Sequence, residues 1–143
     1  LFPLIVPPQA GGGCVNLEKI VASASRPFIV VGDVTKQVMQ LGHQTPLPIE
    51  VVPFVARPSA SDWRRLEQRC SCVRCLGESV YLTENGNVIL DCCFANGIVD
   101  PTDLEDHPAI VGVVETGSFL HIAEQAIIGD RRGVQFLRPT SEG

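Results

Sequence analysis

A run of apolar and mostly β-branched residues, Phe28-Ile29-Val30-Val31, leads directly into Gly32-Asp33. A continuous apolar run of this length is typical of a strand that is buried on both faces of a parallel sheet. Before it, apolar residues recur with helical spacing from Asn16, a candidate N-cap, to Pro27, which ends the helix. A second short helix is predicted over Val34 to Leu41. Two such α/β units in succession predict a doubly wound α/β sheet.

A different pattern begins at Thr45-Pro46-Leu47-Pro48. Between 47 and 118, short strand patterns alternate with helix and turn signals, among them Asn85-Gly86, which supplies the positive φ angles of a tight hairpin turn. These signals predict a small α+β domain of the split β-α-β, or ferredoxin-like, type. The tail is predicted to form a helix over His121 to Ala126 and then two strands that return to the first sheet. The expected organisation is an incomplete Rossmann-like domain, 1–46 with 119–143, and a small domain inserted at 47–118.

The charge pattern argues against two classes of partner. The formal net charge is -5 and the 11 Lys and Arg are scattered along the chain, whereas a nucleic-acid surface needs clustered basic residues. No apolar run is long enough to span a bilayer, so a soluble protein without a membrane partner is expected. The first residue is Leu1, which suggests that the sequence begins inside a longer reading frame or after processing.

The 6 cysteines raise the question of a disulfide or a metal site. The opening residues have no secretory pattern, so reduced thiols are expected. Cys70, Cys72 and Cys75 offer three thiolates to zinc, but a structural zinc site normally needs four ligands in paired spacing. We therefore favour buried, inert thiols and no metal site, with one of Cys92 and Cys93 facing into the protein and the other facing out.

Five blocks of sequence, in order along nearly the whole chain, resemble one family. They are Gln9 to Ala22, Phe28 to Lys36, Pro46 to Phe54, Thr83 to Asp91 and Gly112 to Phe119. In type A ribose-5-phosphate isomerases, a lysine followed by a glycine run leads, nine residues on, to a Glu-Lys-Ile/Met-Val stretch. The spacing from Gln9 to Glu18 is the same. The chain therefore resembles the C-terminal part of that family.

The resemblance implies an enzyme of the pentose phosphate pathway that interconverts ribose 5-phosphate and ribulose 5-phosphate, without metal or other cofactor. A carboxylate moves a proton between C1 and C2 of the open-chain sugar through an enediolate, and by position that residue is Glu18. Desolvation can raise the pKa of such a carboxylate toward the range where it is both a usable base and a usable acid. Taken alone, a glutamate in the first turn of a helix would be read as complementing the helix dipole. The family spacing favours the catalytic role.

The resemblance also implies a set of substrate contacts. Lys36 matches the family's substrate-contacting lysine, whose ammonium can stabilise developing negative charge, although a solvated lysine is an equally simple interpretation. Four further residues match the family's substrate loop, where backbone amides approach a small ligand closely, and a plain turn is the alternative. These four are Gln9, Ala10, Gly11 and Gly12.

The chain departs from the family pattern in ways that leave two functions open. Gln9 stands where the family has lysine, Ala10 stands where it has glycine, and the family's Thr-Gly-Ser-Thr and Asp-Gly-Ala-Asp segments occur nowhere in the chain. One hypothesis is a fragment of an active isomerase that forms a homodimer in its full-length form and works in the cytoplasm, or in a plastid if the source is a plant or alga. The other is a diverged, non-catalytic relative that binds a partner or a sugar phosphate. In either case the missing part of the sheet predicts apolar faces that need a cover.

Overall fold

The computed structural model describes residues 15–43, 45–54, 70–104 and 111–139. Within these ranges the chain forms one α-helix, two short 3₁₀ helices and strands in three sheets, which is an α/β fold. The helix is α1 (Val15–Ala24), and the 3₁₀ helices are Val34–Lys36 and Pro101–Leu104. The strands are β1 (Ile29–Asp33), β2 (Leu47–Val51), β3 (Cys70–Val73), β4 (Cys75–Leu76), β5 (Ser79–Val80), β6 (Val88–Cys92), β7 (Val113–Thr116), β8 (Gln125–Asp130) and β9 (Gly133–Leu137).

The first sheet has the order β1-β8-β9, with β1 and β8 parallel and β8 and β9 antiparallel. The predicted parallel strand over residues 28–33 is thus confirmed as β1, and the tail does return to it. The helix predicted over His121 to Ala126 is wrong. His121 has a φ of 56°, and the Glu124 N–H donates to the Phe28 carbonyl at 2.9 Å, which starts the pairing of β8 with β1.

The burial predicted for β1 is also wrong. Val31 on β1 is 65% exposed and Phe136 on β9 is 64% exposed, so apolar side chains of this sheet face outward. The reason is that α1 makes its main contacts with β2 and β7 of the other sheet. The exposed apolar surface agrees with the expectation that part of this sheet needs a cover.

The second sheet has the order β3-β6-β2-β7, and all its neighbouring strands are antiparallel. The first and third strands of this sheet along the chain, β2 and β6, form its central pair, as in a split β-α-β arrangement. Central strand β2 is buried along its whole length. On one face Ile49 and Val51 join the hydrophobic core, whereas Glu50 points to the opposite face because side chains alternate along a strand. The remaining core residues are Leu47, Val88, Leu90, Cys92, Phe94, Ile98 and Leu104.

The tight turn predicted at Asn85-Gly86 is confirmed at the glycine, which has a φ of 75°. The Thr83 N–H donates to the Asn87 carbonyl at 2.8 Å across this turn. The strand pairing next to the turn is short. An isolated bridge joins Leu82 to Val88, whereas β5 pairs with β4.

Helix α1 confirms the helical pattern but already includes Val15, so Asn16 lies inside the helix and is not its N-cap. Val15 and Ala22 are buried, whereas the rest of the apolar stripe, Leu17, Ile20 and Val21, is between 45% and 58% exposed. The second predicted helix is reduced to Val34–Lys36. The division into domains 1–46 plus 119–143 and 47–118 stays a prediction.

The cysteines differ from expectation. Cys92 is buried and disulfide-bonded, so the expectation of reduced thiols is wrong there. Cys72 and Cys75, predicted to be buried, are exposed, and so is Cys93, the outward-facing member of its pair. In the described ranges no three His, Cys, Asp or Glu residues lie close enough to hold a metal ion. No helix of those ranges is long and apolar enough to cross a membrane.

Candidate active site

Glu18 lies in the first turn of α1 and is partly buried. Burial removes water from its carboxylate and raises its pKa above the ordinary value of 4.5. A raised pKa brings a carboxyl group closer to the range in which it can both take and return a proton. The direction of this pKa shift is the one that the proton-transfer role implied by the sequence position of Glu18 requires.

Two contacts with the second sheet hold α1 on either side of Glu18. The Asn16 N–H donates to Glu50 Oε2 at 3.3 Å. Lys19 Nζ donates to Glu115 Oε1 at 2.6 Å and to the Thr116 carbonyl at 3.4 Å. Because residues 16 and 19 flank residue 18, the turn that carries Glu18 is attached to β2 and β7 at both ends.

Glu50 is the most buried charged residue of this region, with 1% exposure. Besides the Asn16 N–H, it accepts hydrogen bonds at Oε1 from Thr83 Oγ1 at 3.0 Å and from Asn87 Nδ2 at 2.9 Å. Thr83 Oγ1 in turn accepts from the Asn87 N–H at 3.1 Å. This network joins β2, the turn before β6 and the first turn of α1.

The sequence interpretation did not single out Glu50. One signal was available, since Glu50 stands in the middle of Leu47-Pro48-Ile49-Glu50-Val51, an otherwise apolar strand. Ionised residues are almost never fully buried unless they are paired or hydrogen-bonded. A glutamate at the centre of a buried strand therefore points to an arranged polar contact.

A cavity of about 140 Å³ lies beside this network. It is lined by Asn16, Leu17, Ile20, Glu50, Thr83, Glu84 and Asn85. Glu18 is not part of this lining. The cavity therefore adjoins the anchored face of α1 and does not itself contain the candidate base.

Lys36 is half-buried and lies just beyond the carboxyl end of β1, which is parallel to β8. In open α/β sheets, ligands bind at the carboxyl ends of parallel strands. The Asp33 side chain caps the 3₁₀ helix that carries Lys36 by accepting from the Thr35 N–H at 2.8 Å and from the Thr35 hydroxyl. These hydrogen bonds, and to a lesser degree the Lys36 charge, lower the pKa of Asp33. The stem of Lys36 packs over Gly32, where a Cβ would lie 3.5 Å from Lys36 Cγ.

The predicted site residues are described only in part. Glu18 and Lys36 occupy different elements, and within the described ranges no hydrogen bond or ion pair joins them. The other predicted residues lie outside the described ranges. They are Gln9, Ala10, Gly11 and Gly12. The assignment of these six residues to one site stays a prediction.

The family model for ribose 5-phosphate isomerase A (phosphoriboisomerase A) matches residues 9–133. Ribose-5-phosphate isomerase A of Gloeobacter violaceus is 40% identical over 131 residues, which cover 91% of this chain and 56% of the relative. Ribose-5-phosphate isomerase A of Bacillus mycoides is 37% identical over 134 residues, which cover 89% of this chain and 57% of the relative. The chain thus spans somewhat more than half the length of these relatives.

Solved structures agree with the sequence matches. Ribose 5-phosphate isomerase A from Methanocaldococcus jannaschii superposes with a TM-score of 0.80 at 32% identity, over 96% of this chain and 60% of that one. A D-ribose-5-phosphate isomerase in complex with phospho-erythronic acid superposes with a TM-score of 0.79 at 33% identity, over 94% of this chain and 58% of that one. Sequence and fold lead to one conclusion: the chain belongs to the ribose 5-phosphate isomerase A family.

Proposed function

We propose that the protein represented by this chain interconverts ribose 5-phosphate and ribulose 5-phosphate, with Glu18 as the proton-transferring group. The observation that carries the proposal is the position of Glu18. It lies in the family's Glu-Lys-Ile-Val stretch, within a helical turn that is attached to the second sheet on both sides, and its pKa is raised. Because the chain spans little more than half of its relatives, the activity is proposed for the whole protein.

The proposed chemistry is an aldose to ketose isomerisation. The Glu18 carboxylate removes the proton from C2 of the open-chain aldose, and the C1 carbonyl oxygen gains the negative charge of an enediolate. The Glu18 carboxyl then returns a proton to C1, while the proton of the C2 hydroxyl passes to the C1 oxygen, which leaves a hydroxyl on C1 and the ketose carbonyl at C2. A single carboxyl group suits both steps if its pKa lies close to the working pH.

Lys36 is proposed as a substrate contact. Its ammonium would pair with substrate oxygens and favour the negatively charged enediolate over the neutral sugar. Backbone amides of the Gly11-Gly12 loop would approach the same ligand. Gln9 carries no charge, so in this chain Lys36 is the one proposed contact that supplies a positive charge.

The proposal is tested by the isomerase activity of the full-length protein beside two variants. Glu18→Gln keeps the shape of the side chain but removes the group that takes the proton, whereas Glu78→Gln makes the same change at an exposed turn residue. We expect ribulose 5-phosphate formation in the parent and in Glu78→Gln, and loss of activity in Glu18→Gln. Activity that survives Glu18→Gln would refute the assignment of the base.

Non-catalytic binding of a sugar phosphate is the second candidate function, and the residue that favours it is Gln9. The family's lysine at this position supplies a charge that Gln9 lacks. Calorimetry with ribose 5-phosphate on the full-length protein separates the two functions. Binding without turnover would favour the non-catalytic relative, and it would be decisive if Gln9→Lys then produced activity.

The same proposal includes three further points. The full-length form is a homodimer, it is located in the cytoplasm or a plastid, and the chain is divided into the two domains predicted from the sequence. Exposed Val31 and Phe136 on the first sheet support an assembly that covers apolar surface. Sedimentation velocity of the full-length protein tests the dimer, and a monomer at micromolar concentration would refute it. Limited proteolysis tests the domains, since cleavage is expected near residues 46 and 119.

A further inference from the structure

We propose that Glu50 is a positioning residue for the isomerisation, because it fixes the first turn of α1 and thereby the place of the Glu18 carboxyl group. This inference rests on the proposed function. In this role Glu50 does not contact the reacting atoms. It acts through the backbone of α1, the helix that carries Glu18.

The two oxygens of Glu50 serve two different elements. Oε2 accepts the Asn16 N–H of α1, and Oε1 accepts the Thr83 hydroxyl and the Asn87 amide of the turn before β6. With 1% exposure, Glu50 has essentially no access to solvent that could replace these partners. The carboxylate is therefore a fixed bridge between the second sheet and the start of the helix.

A carboxylate suits this bridge for electrostatic reasons. The first N–H groups of a helix have no partner inside the helix, and the helix dipole makes its N-terminus attractive to negative charge. Hydrogen bonds to an ionised acceptor are about twice as strong as neutral ones. A residue needed only for packing would be apolar, as Ile49 and Val51 are on the other face of β2.

The bridge fixes the position of Glu18 because Asn16, the helix residue that Glu50 contacts, is close to Glu18 in the helix. Asn16 precedes Glu18 by two residues in the same turn, and Lys19 follows it with its own link to Glu115. Loss of the Glu50 contact would free the start of α1 while the Lys19 contact remained. A shift of about 1 Å in a catalytic group can lower a rate by about a hundredfold.

Two substitutions at Glu50 distinguish two roles of its side chain. One role is to accept a hydrogen bond from the Asn16 N–H, and the other is to fill space. Glu50→Leu fills a similar volume but accepts no hydrogen bond. Glu50→Gln keeps one acceptor oxygen, and this oxygen should serve the Asn16 N–H. The reason is that the Thr83 hydroxyl and the Asn87 amide can both reverse their hydrogen-bonding direction, whereas a backbone N–H cannot.

Asp91→Asn provides the matched control for stability. Asp91 lies on β6 of the same sheet and accepts from Arg74 Nε at 2.9 Å. Its substitution weakens an ion pair of partly buried side chains on a strand that is not among the main contacts of α1. An effect common to Glu50→Leu and Asp91→Asn would therefore reflect general destabilisation.

The decisive readout is taken on the folded protein by NMR. It consists of the titration of the Glu18 carboxyl carbon and the exchange rate of the Asn16 amide. We expect Glu50→Leu to bring the Glu18 midpoint down toward that of an ordinary glutamate and to speed Asn16 exchange. Glu50→Gln and Asp91→Asn should stay close to the parent. A folded Glu50→Leu with an unchanged Glu18 midpoint and an unchanged Asn16 exchange rate would overturn the proposal.

Activity provides a second, separate readout. We expect Glu50→Leu to lower kcat by about tenfold to a hundredfold with KM within about twofold, and Glu50→Gln to restore most of kcat. If the full-length parent has no isomerase activity, the proposed function fails, while the NMR readout still decides whether Glu50 positions Glu18. If Glu50→Leu does not fold, Thr83→Val combined with Asn87→Ala releases Glu50 from its turn, and the same two NMR outcomes apply.

Discussion

Glu50 on β2 and Glu115 on β7 are cross-strand partners, and each of them holds a different residue of α1. Like charges directly opposite one another in a sheet are normally destabilising. Here each carboxylate faces its own source of positive potential. Glu50 meets the N-terminus of the helix at Asn16, and Glu115 meets the ammonium of Lys19. The pair of glutamates is therefore an attachment site for the helix that carries the candidate base.

Removal of the Lys19 ion pair should have a modest effect on stability. The side chains of Lys19 and Glu115 are 22% and 21% exposed, so water still screens part of their interaction. We expect a double-mutant cycle of Lys19→Met and Glu115→Gln to give a coupling free energy of about 1 kcal/mol. The measurement is urea unfolding of the four proteins at pH 7. A coupling near zero would show that this contact does not hold the helix.

The raised pKa of Glu18 predicts a specific dependence of stability on pH. Because the folded-state pKa lies above the unfolded value, the folded state binds more protons between the two. The free energy of unfolding should therefore fall as pH rises from the ordinary glutamate value of 4.5 through the folded-state pKa. Glu18→Gln should remove this fall and be the more stable protein above that range.

Urea unfolding of the parent and Glu18→Gln at intervals between about pH 4 and pH 7 checks the prediction. Glu78→Gln serves as the exposed control and should follow the parent curve. Parallel curves for the parent and Glu18→Gln would show that burial does not raise the pKa of Glu18.

Thr35 should control both the titration of Asp33 and the order of the turn that carries Lys36. The Thr35 hydroxyl and N–H donate to Asp33 and hold its pKa below the ordinary value of 3.8. Thr35→Val removes the hydroxyl and keeps the shape, so the pKa of Asp33 should rise toward its ordinary value. Thr35→Ser keeps the hydroxyl donor and should leave the pKa of Asp33 low.

The lowered pKa of Asp33 determines how the stability of the folded protein changes with pH. A lowered folded-state pKa adds stability that is present above the unfolded value and is lost as pH falls through the folded-state pKa. This acid-side loss should be smaller in Thr35→Val than in Thr35→Ser. NMR titration of the Asp33 carboxyl carbon measures the shift directly, and equal midpoints in the two variants would contradict the capping role.

The parts of the fold that could be predicted from the sequence are those determined by local patterns. Helical spacing predicted α1, an apolar run predicted β1, and Asn85-Gly86 predicted the turn at Gly86. The family spacing predicted the place of Glu18 in the first helical turn. Each of these needs information from only a few neighbouring residues.

The parts that could not be predicted depend on residues far apart in the chain. Glu50 meets its partners across 33 to 37 positions, and Lys19 meets Glu115 across 96. The extended conformation at Gln125 is set by pairing with β1, which overrides the helix predicted over His121 to Ala126. The exposure of Val31 depends on which sheet α1 covers, and no local pattern contains that information.

The contact between Gly117 and β2 should tolerate no side chain. A Cβ on Gly117 would lie 2.5 Å from Pro48 Cγ and 3.0 Å from the Pro48 carbonyl oxygen, and the Gly117 N–H donates to that oxygen at 2.7 Å. Gly129 on β8 has no heavy atom within 4 Å of its Cβ position. Neither residue has a positive φ, so the two substitutions differ in crowding and not in backbone strain.

We expect Gly117→Ala to lower the free energy of unfolding by about 1 to 3 kcal/mol, because the backbone of β2 or of residue 117 must move. Gly129→Ala should leave it unchanged or raise it by about 0.5 to 1 kcal/mol, since alanine loses less conformational entropy in a strand. Urea unfolding of both variants beside the parent gives the comparison. Equal effects of the two substitutions would mean that Gly117 and Pro48 are not in close contact, and the end of β7 would then have to lie farther from β2.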